Sequence, residues 1–184
     1  PSSSDVTKEL LRQRLVDDAD RSGGLASLIG DRFDKIAALV RPLSAMRVDA
    51  SRPYTFTMLE ATLLSFAYVE KQQPFDEELL TAALLVDAGR IINRRNAIQA
   101  ILQAVNGLVT SRTAWLVEAR DVATAYTNGT LGHRARHRLT VHPDFDHAML
   151  LSEATRANQQ EDVGTLSLND AIERLRSLSA SCDE

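Results

Sequence analysis

Cysteine is nearly absent. Cys182 is the only one, so no disulfide can close within the chain, and the fold needs no covalent staple. Aromatic residues make up 5% against 44% hydrophobic residues overall, so the core must be built mainly from Leu, Ile, Val and Ala. That composition favours helices over a β-sandwich, which relies on aromatic and β-branched side chains. No apolar run approaches the roughly 20 residues of a membrane span, and no signal peptide opens the sequence. These absences predict a protein of the cytoplasm or of a virion, with no membrane partner. Pro1 is what remains when an initiator Met before Pro is trimmed, so the first residue reads as a natural N-terminus. Catalytic signatures are also missing: there is no Gly-x-Ser-x-Gly, no P-loop, no dinucleotide fingerprint and no Cys–His pair at a useful spacing. The chain therefore reads as a non-enzyme with no cofactor. Asn128-Gly129-Thr130 matches a glycosylation sequon but has no secretion signal to give it meaning.

Lysine is scarce as well. Of the 21 basic residues, 18 are Arg and three are Lys. A GC-rich coding sequence produces this bias, and so does a need for planar guanidinium groups that grip phosphate or carboxylate. The charge is unevenly spread. Residues 1–89 carry net −4, residues 90–138 net +6 and residues 139–184 net −6. A weakly acidic chain thus contains a basic block and ends in an acidic segment, residues 158–184, with a last helix. Either the acidic segment folds back on the basic block of its own or a neighbouring subunit, or the block faces a polyanion.

At 184 residues the chain has the length of one domain. Apolar spacing predicts helices over 5–20, 25–40 and 54–70, then one starting behind Pro74-Phe75-Asp76 and running to about Asp87. Ile91, Ile98, Ile101, Leu102, Val105, Leu108 and Val109 form the longest helical stripe. Asn106-Gly107 ends it, or the helix continues to Tyr126. Residues 127–142 read as a basic Arg/His loop. A helix follows from Pro143 to about Ala157. Ser167-Leu168-Asn169-Asp170 resembles a capping box that opens the last helix. The expected fold class is all-α, a bundle of about seven or eight helices with no convincing β-sheet.

Three features carry possible chemistry. Asp18-Ala19-Asp20-Arg21-Ser22-Gly23-Gly24-Leu25 has the front half of an EF-hand loop, but Ile29 occupies the position where calcium needs a bidentate carboxylate; a polar turn between helices is the simpler reading. All four histidines, His133, His137, His142 and His147, fall within fifteen residues. His133 and His137 are spaced to share a helix face, which is half of a zinc site. The interleaved Arg134, Arg136 and Arg138 oppose a dication, and a basic segment that gains charge as pH falls is the competing reading. Finally, Arg90, Arg94, Arg95, Arg112, Arg134, Arg136 and Arg138 are candidate phosphate contacts, with Tyr126 and Phe145 close enough in sequence to stack on bases. Arg94 falls inside the apolar stripe, so it must be paired or face something polar: an intrachain pair with Asp87 or a carboxylate of another helix, or a subunit boundary or bound phosphate at this edge.

The stretch Ala100-Ile101-Leu102-Gln103-Ala104-Val105-Asn106-Gly107-Leu108-Val109 resembles the A-I-x-x-A-I-N-N-L-I run in coat proteins of tobamovirus-type rod-shaped viruses. Leu63-Leu64, within 61–67, is similar to that family's T-A-L-L-G-A-F helix. The similarity covers residues 61–109. It implies a bundle of tilted helices stacked into a rod around single-stranded RNA, with Arg94 and Arg95 nearest to the family's RNA-contacting arginines. Leu102 stands where the family carries an arginine, Asn96 and Ala97 replace the carboxylates that follow its arginine pair, and its aromatic-rich N-terminal part has no counterpart here. The leading expectation is a self-associating capsid or nucleoprotein subunit that coats single-stranded RNA. The alternatives are a helical regulatory or small-ligand-binding domain with an apolar pocket, and a metal site at the histidines.

Overall fold

Helix caps set the frame. In the computed structural model, which describes residues 30–48, 56–157 and 166–182, most helices begin at a side chain that accepts an otherwise orphaned backbone N–H. Thr57 and Glu60 form a reciprocal capping box at the start of α2, Met58–Gln72. Asp76 caps α3, Glu77–Leu85, by accepting from Leu79 N at 3.0 Å. Thr110 caps α5, Ser111–Thr127, by accepting from Thr113 N. Ser167 and Asp170 make the expected box at α8, Leu168–Cys182. Each such cap stabilises its helix by about 1 kcal/mol. The hydrogen bonds from Ser167 hold the exposed Asp170 carboxyl below its ordinary value.

The chain divides into two compact units, residues 1–35 and 36–184. In the first, the described residues are 30–35, where Asp31 accepts from the N–H groups of Phe33 and Asp34 and so opens α1, Arg32–Val40. The predicted helix 5–20 and the calcium-like loop at 18–29 lie outside the described residues.

The second unit is all-α, as composition and periodicity predict. A 3-10 turn, Arg41–Ala45, follows α1. After α3 come a single helical turn, Gly89–Ile92, then α4, Ala97–Ala104, α5, α6 (His133–Thr140), α7 (Phe145–Ala157) and α8. Helices α2, α3, α5 and α7 close a ring, each packed against two neighbours: α2 on α3, α3 on α5, α5 on α7 and α7 on α2. Helix α8 lies against α3 and α2, α6 against α5, and α4 against α5 and the Gly89 turn. Helix α3 is therefore covered on every side. Its Leu79, Leu80, Ala82, Ala83, Leu84 and Leu85 are all 0% exposed, as an all-round apolar helix requires. Full burial of each leucine contributes about 1.5–3 kcal/mol. Among the described residues, extended pairing is limited to one isolated antiparallel bridge, Arg47 to Thr57. No helix among them is long and apolar enough to cross a membrane.

Two local expectations change. The stripe over 91–109 is not one helix. Asn93 Oδ1 accepts from the N–H groups of Arg95 and Asn96 at 3.0 and 3.2 Å, and this Asx turn competes with helix continuation. The second piece ends at Ala104, and Gly107, at φ +77°, lies in the turn beyond it. Ile101 and Val105 reach the core, while Ile91 and Ile92 are exposed. The segment expected as a basic loop instead holds α6. Its arginines are good helix formers, Leu139 is its buried anchor, and His137 and Arg138 in the last turn complement the helix dipole.

Candidate anion-binding surfaces

The seven candidate arginines fall into three settings. Arg112 is sequestered. Its Nη1 and Nη2 grip Asp76 Oδ1 and Oδ2 at 2.8 and 2.7 Å, Nη1 also reaches Glu78 Oε2 at 2.9 Å, and Nε donates to Asp144 Oδ1 at 2.8 Å. The hydroxyl of Thr110 donates to the other oxygen of Glu78. The knot joins the starts of α3, α5 and α7. It corrects the reading of Arg112 as a nucleic-acid contact, because three carboxylates already saturate the fork. The hydrogen bond with Asp76, opposed by burial and helped by Asp144 and Glu78, pushes the Arg112 guanidinium further above its already high value. Burial pushes Asp76 and Asp144 up. Together, the Arg112 hydrogen bond and charge, with Leu79 N–H at Asp76 and His147 at Asp144, outweigh it, and both carboxyls end below the ordinary aspartate value.

The histidines separate. His147 Nδ1 lies 3.2 Å from Asp144 Oδ1 and 3.3 Å from Arg112 Nη2, at the edge of the knot. His142 stacks on Trp115 with ring centroids 3.5 Å apart, and its Nδ1 accepts from Asp144 N. His133 and His137 stand exposed on α6. Among the described residues, no group of three His, Cys, Asp or Glu side chains converges as a metal-ligand set.

The second setting is α6. It presents His133, Arg134, Arg136, His137 and Arg138 outward with no carboxylate among its eight residues. Leu139 fixes the helix in a small cluster with Ala119, Ala123 and Ala148, flanked by Trp115, Tyr126 and Phe145. Tyr126 and Phe145 pack edge to face at 5.6 Å, and the Arg136 guanidinium lies 5.3 Å above the Tyr126 ring. These two aromatics hold α6 in place rather than standing open for bases. The side chains of Arg134 and Arg138 have no ionic or hydrogen-bond partner among the described residues.

The third setting is an open cavity of about 260 Å³ between the Asn93 turn, the start of α4 and the middle of α5. Its walls carry Arg90, Arg94, Arg95, Arg120 and Asp121, with the first turn of α4 at one end. Arg90 is paired with Asp87, Nε to Oδ1 at 2.9 Å. Arg94 and Arg95 stand on the exposed turn, so the turn rather than a partner resolves the arginine in the apolar stripe. Their side chains make no pair among the described residues. Arg120 was missed by sequence reasoning. It is 7% exposed and donates through Nη2 to Val86 O at 3.2 Å and Asp87 Oδ1 at 3.3 Å. Its Nε lies 3.1 Å from Asp121 Oδ1 but lacks hydrogen-bond alignment, and is buried without a hydrogen-bond partner. The signal was present: Arg120 interrupts the Leu116, Val117, Ala119, Ala123 stripe, and a charge there demands a partner or a ligand.

Among the described residues, the ion pair of Asp144 with Arg112 is the only one between residues 139–184 and the basic block. Helix α8 is tied instead through Arg174, which donates to Glu70 at 2.8 Å and to Pro74 O at 2.9 Å. No protein-family model matches this chain, and no curated protein matches it in sequence.

Proposed function

We propose that the chain is a non-enzymatic helical subunit that self-associates and coats single-stranded nucleic acid, with RNA the expected partner, through arginine contacts to phosphate. The observation that carries this reading is the partnerless state of Arg94, Arg95, Arg134 and Arg138 among the described residues. The chain has net charge −4, with 25 acidic residues to 21 basic ones, so carboxylates are plentiful. They hold Arg112 on three sides and leave these four guanidinium groups open. Phosphate contacts of this kind give affinity without sequence preference. Exposed apolar side chains adjoin both arginine groups: Ile92, 51% exposed, precedes Arg94, and Val141, 64% exposed, follows α6. A symmetric contact between copies that covers them would remove both from water.

The test is mobility shift of single-stranded RNA at low salt, followed by electron microscopy of the mixture. The proposal expects sequence-tolerant binding and filaments or shells. Protein that ignores single-stranded RNA and DNA at low salt and stays monomeric refutes it.

A further inference from the structure

We infer that the cavity between the Asn93 turn, the start of α4 and the middle of α5 is a discrete site for a phosphomonoester dianion. Charge is the first argument. Four guanidinium groups, Arg90, Arg94, Arg95 and Arg120, face two carboxylates, Asp87 and Asp121. The site is two positive charges in excess, which a terminal phosphate neutralises and a bridging phosphodiester does not. Hydrogen bonding agrees with charge. Helix α4 has eight residues, no acid in its first turn and no side-chain cap from Asn96. Ala97 and Ile98 of that first turn line the cavity, which sets it beside the positive end of the α4 dipole. Arg120 is 7% exposed, and although Asp87 and Asp121 lie within ion-pair distance, its buried Nε makes no hydrogen bond; an anion in the cavity it lines adds to an incompletely satisfied charge.

Size agrees. The open cavity of about 260 Å³ is roomy enough for a phosphate with a small ring attached. Gly89 keeps the geometry. A Cβ there would lie 1.9 Å from the carbonyl oxygen of Ala97, so only glycine lets the 89–92 turn approach the start of α4 this closely.

The site shares Arg94 and Arg95 with the nucleic-acid surface and rests on that reading only for them; Arg90, Arg120 and the α4 terminus are its own. The terminal phosphate of a nucleic acid and the phosphate of a small phosphorylated molecule present the same chemistry. Calorimetry and amide chemical-shift mapping are run with inorganic phosphate, a nucleoside monophosphate and the unphosphorylated nucleoside. Fluorescence titration compares an RNA bearing a 5′-phosphate with the same RNA bearing a 5′-hydroxyl. The monophosphate is expected to bind at least about tenfold more tightly than the nucleoside, with shifts at Ala97, Ile98 and Arg120. Arg94→Gln should weaken it about tenfold. Gln99→Glu adds a carboxylate to the exposed first turn of α4, favours the helix itself, and should weaken the monophosphate about threefold, so its effect is not a folding effect. Preference for the 5′-phosphorylated RNA supports the site with a nucleic-acid end as source. Equal RNA binding with retained monophosphate binding supports it with a small molecule as source. Arg134→Ala with Arg138→Ala should weaken RNA binding and roughly halve its salt slope while leaving the monophosphate untouched, which separates the two proposals. The inference is overturned if phosphate and monophosphate fail to bind at millimolar concentration, or bind the wild type, Arg94→Gln and Gln99→Glu alike.

Discussion

Replacing Gly89 by alanine should destabilise the protein, although helix propensity alone predicts the opposite. In an exposed helix, Gly→Ala gains about 1 kcal/mol. Here the new Cβ would meet Ala97 O at 1.9 Å, its carbonyl carbon at 2.7 Å and its Cα at 3.1 Å. All three are main-chain atoms at the start of α4, so no side-chain rotation relieves the overlap. The oxygen contact is roughly 1.5 Å inside ordinary van der Waals separation, and α4 must move by about that much. Overpacking of a tight contact costs about 1–3 kcal/mol, occasionally more, and the backbone origin of the clash puts it at the top of that range. Subtracting the propensity gain leaves about 2 kcal/mol of net destabilisation. Urea unfolding reads this directly: with a slope of about 2 kcal/mol per molar, the midpoint should fall by roughly 1 M. Gly132 is the control. It has an ordinary φ of −65° and open space where its Cβ would stand, so Gly132→Ala should be neutral within about 0.5 kcal/mol. A Gly89→Ala midpoint equal to or above the wild type would refute the close approach of the 89–92 turn and α4.

Arg112→Met strands three carboxylates. Because the arginine keeps 26% of its side chain exposed, the loss should be about 2–3 kcal/mol, below that of a fully buried pair, as thermal or urea unfolding would register. Asp76 and Asp144 titrate below the ordinary aspartate value in the folded state, so below pH 4 the unfolded chain binds more protons. Their stabilisation is fully present above about pH 4 and lost as pH falls through the folded values; a midpoint series from pH 6 to 2 should show that loss in the wild type and a flatter one in Arg112→Met. Leu139→Ala removes the anchor of α6 and should cost about 2–3 kcal/mol, with hydrogen exchange accelerated over 133–140 while α3 stays protected.

The fold class was legible because low aromatic content and helical apolar spacing agree. The starts of α3 and α8 were legible because Asp76 and the Ser167–Asp170 pair are capping side chains close to the residues they cap. The box Thr57-Met58-Leu59-Glu60 was equally available and fixes α2 four residues later than periodicity alone suggests. The break at Asn93 was hidden by the isoleucines on either side of it, which keep the apolar pattern going across a turn whose cause is one side-chain amide. The fate of each arginine was least legible. Arg112 finds Asp76 and Asp144 at separations of 36 and 32 residues, and no local pattern encodes such a meeting. Arg120 carried a readable sign, a charge in an apolar stripe, but its partner Asp87 stands 33 residues away. The basic block therefore sorts into paired and open arginines only when α3, α5 and α7 are packed.

The central claim is that the open arginines are grips for nucleic-acid phosphate. The most direct test is the affinity for a single-stranded RNA measured across a salt series, in the wild type and in a variant with Arg94, Arg95, Arg134 and Arg138 all changed to glutamine. Four phosphate contacts predict that log K falls against log salt with a slope of about −3, at roughly 0.7 per contact, and that the variant binds weakly with a slope near zero. Wild-type affinity that does not change with salt, or a variant with the same affinity and slope, would contradict the account.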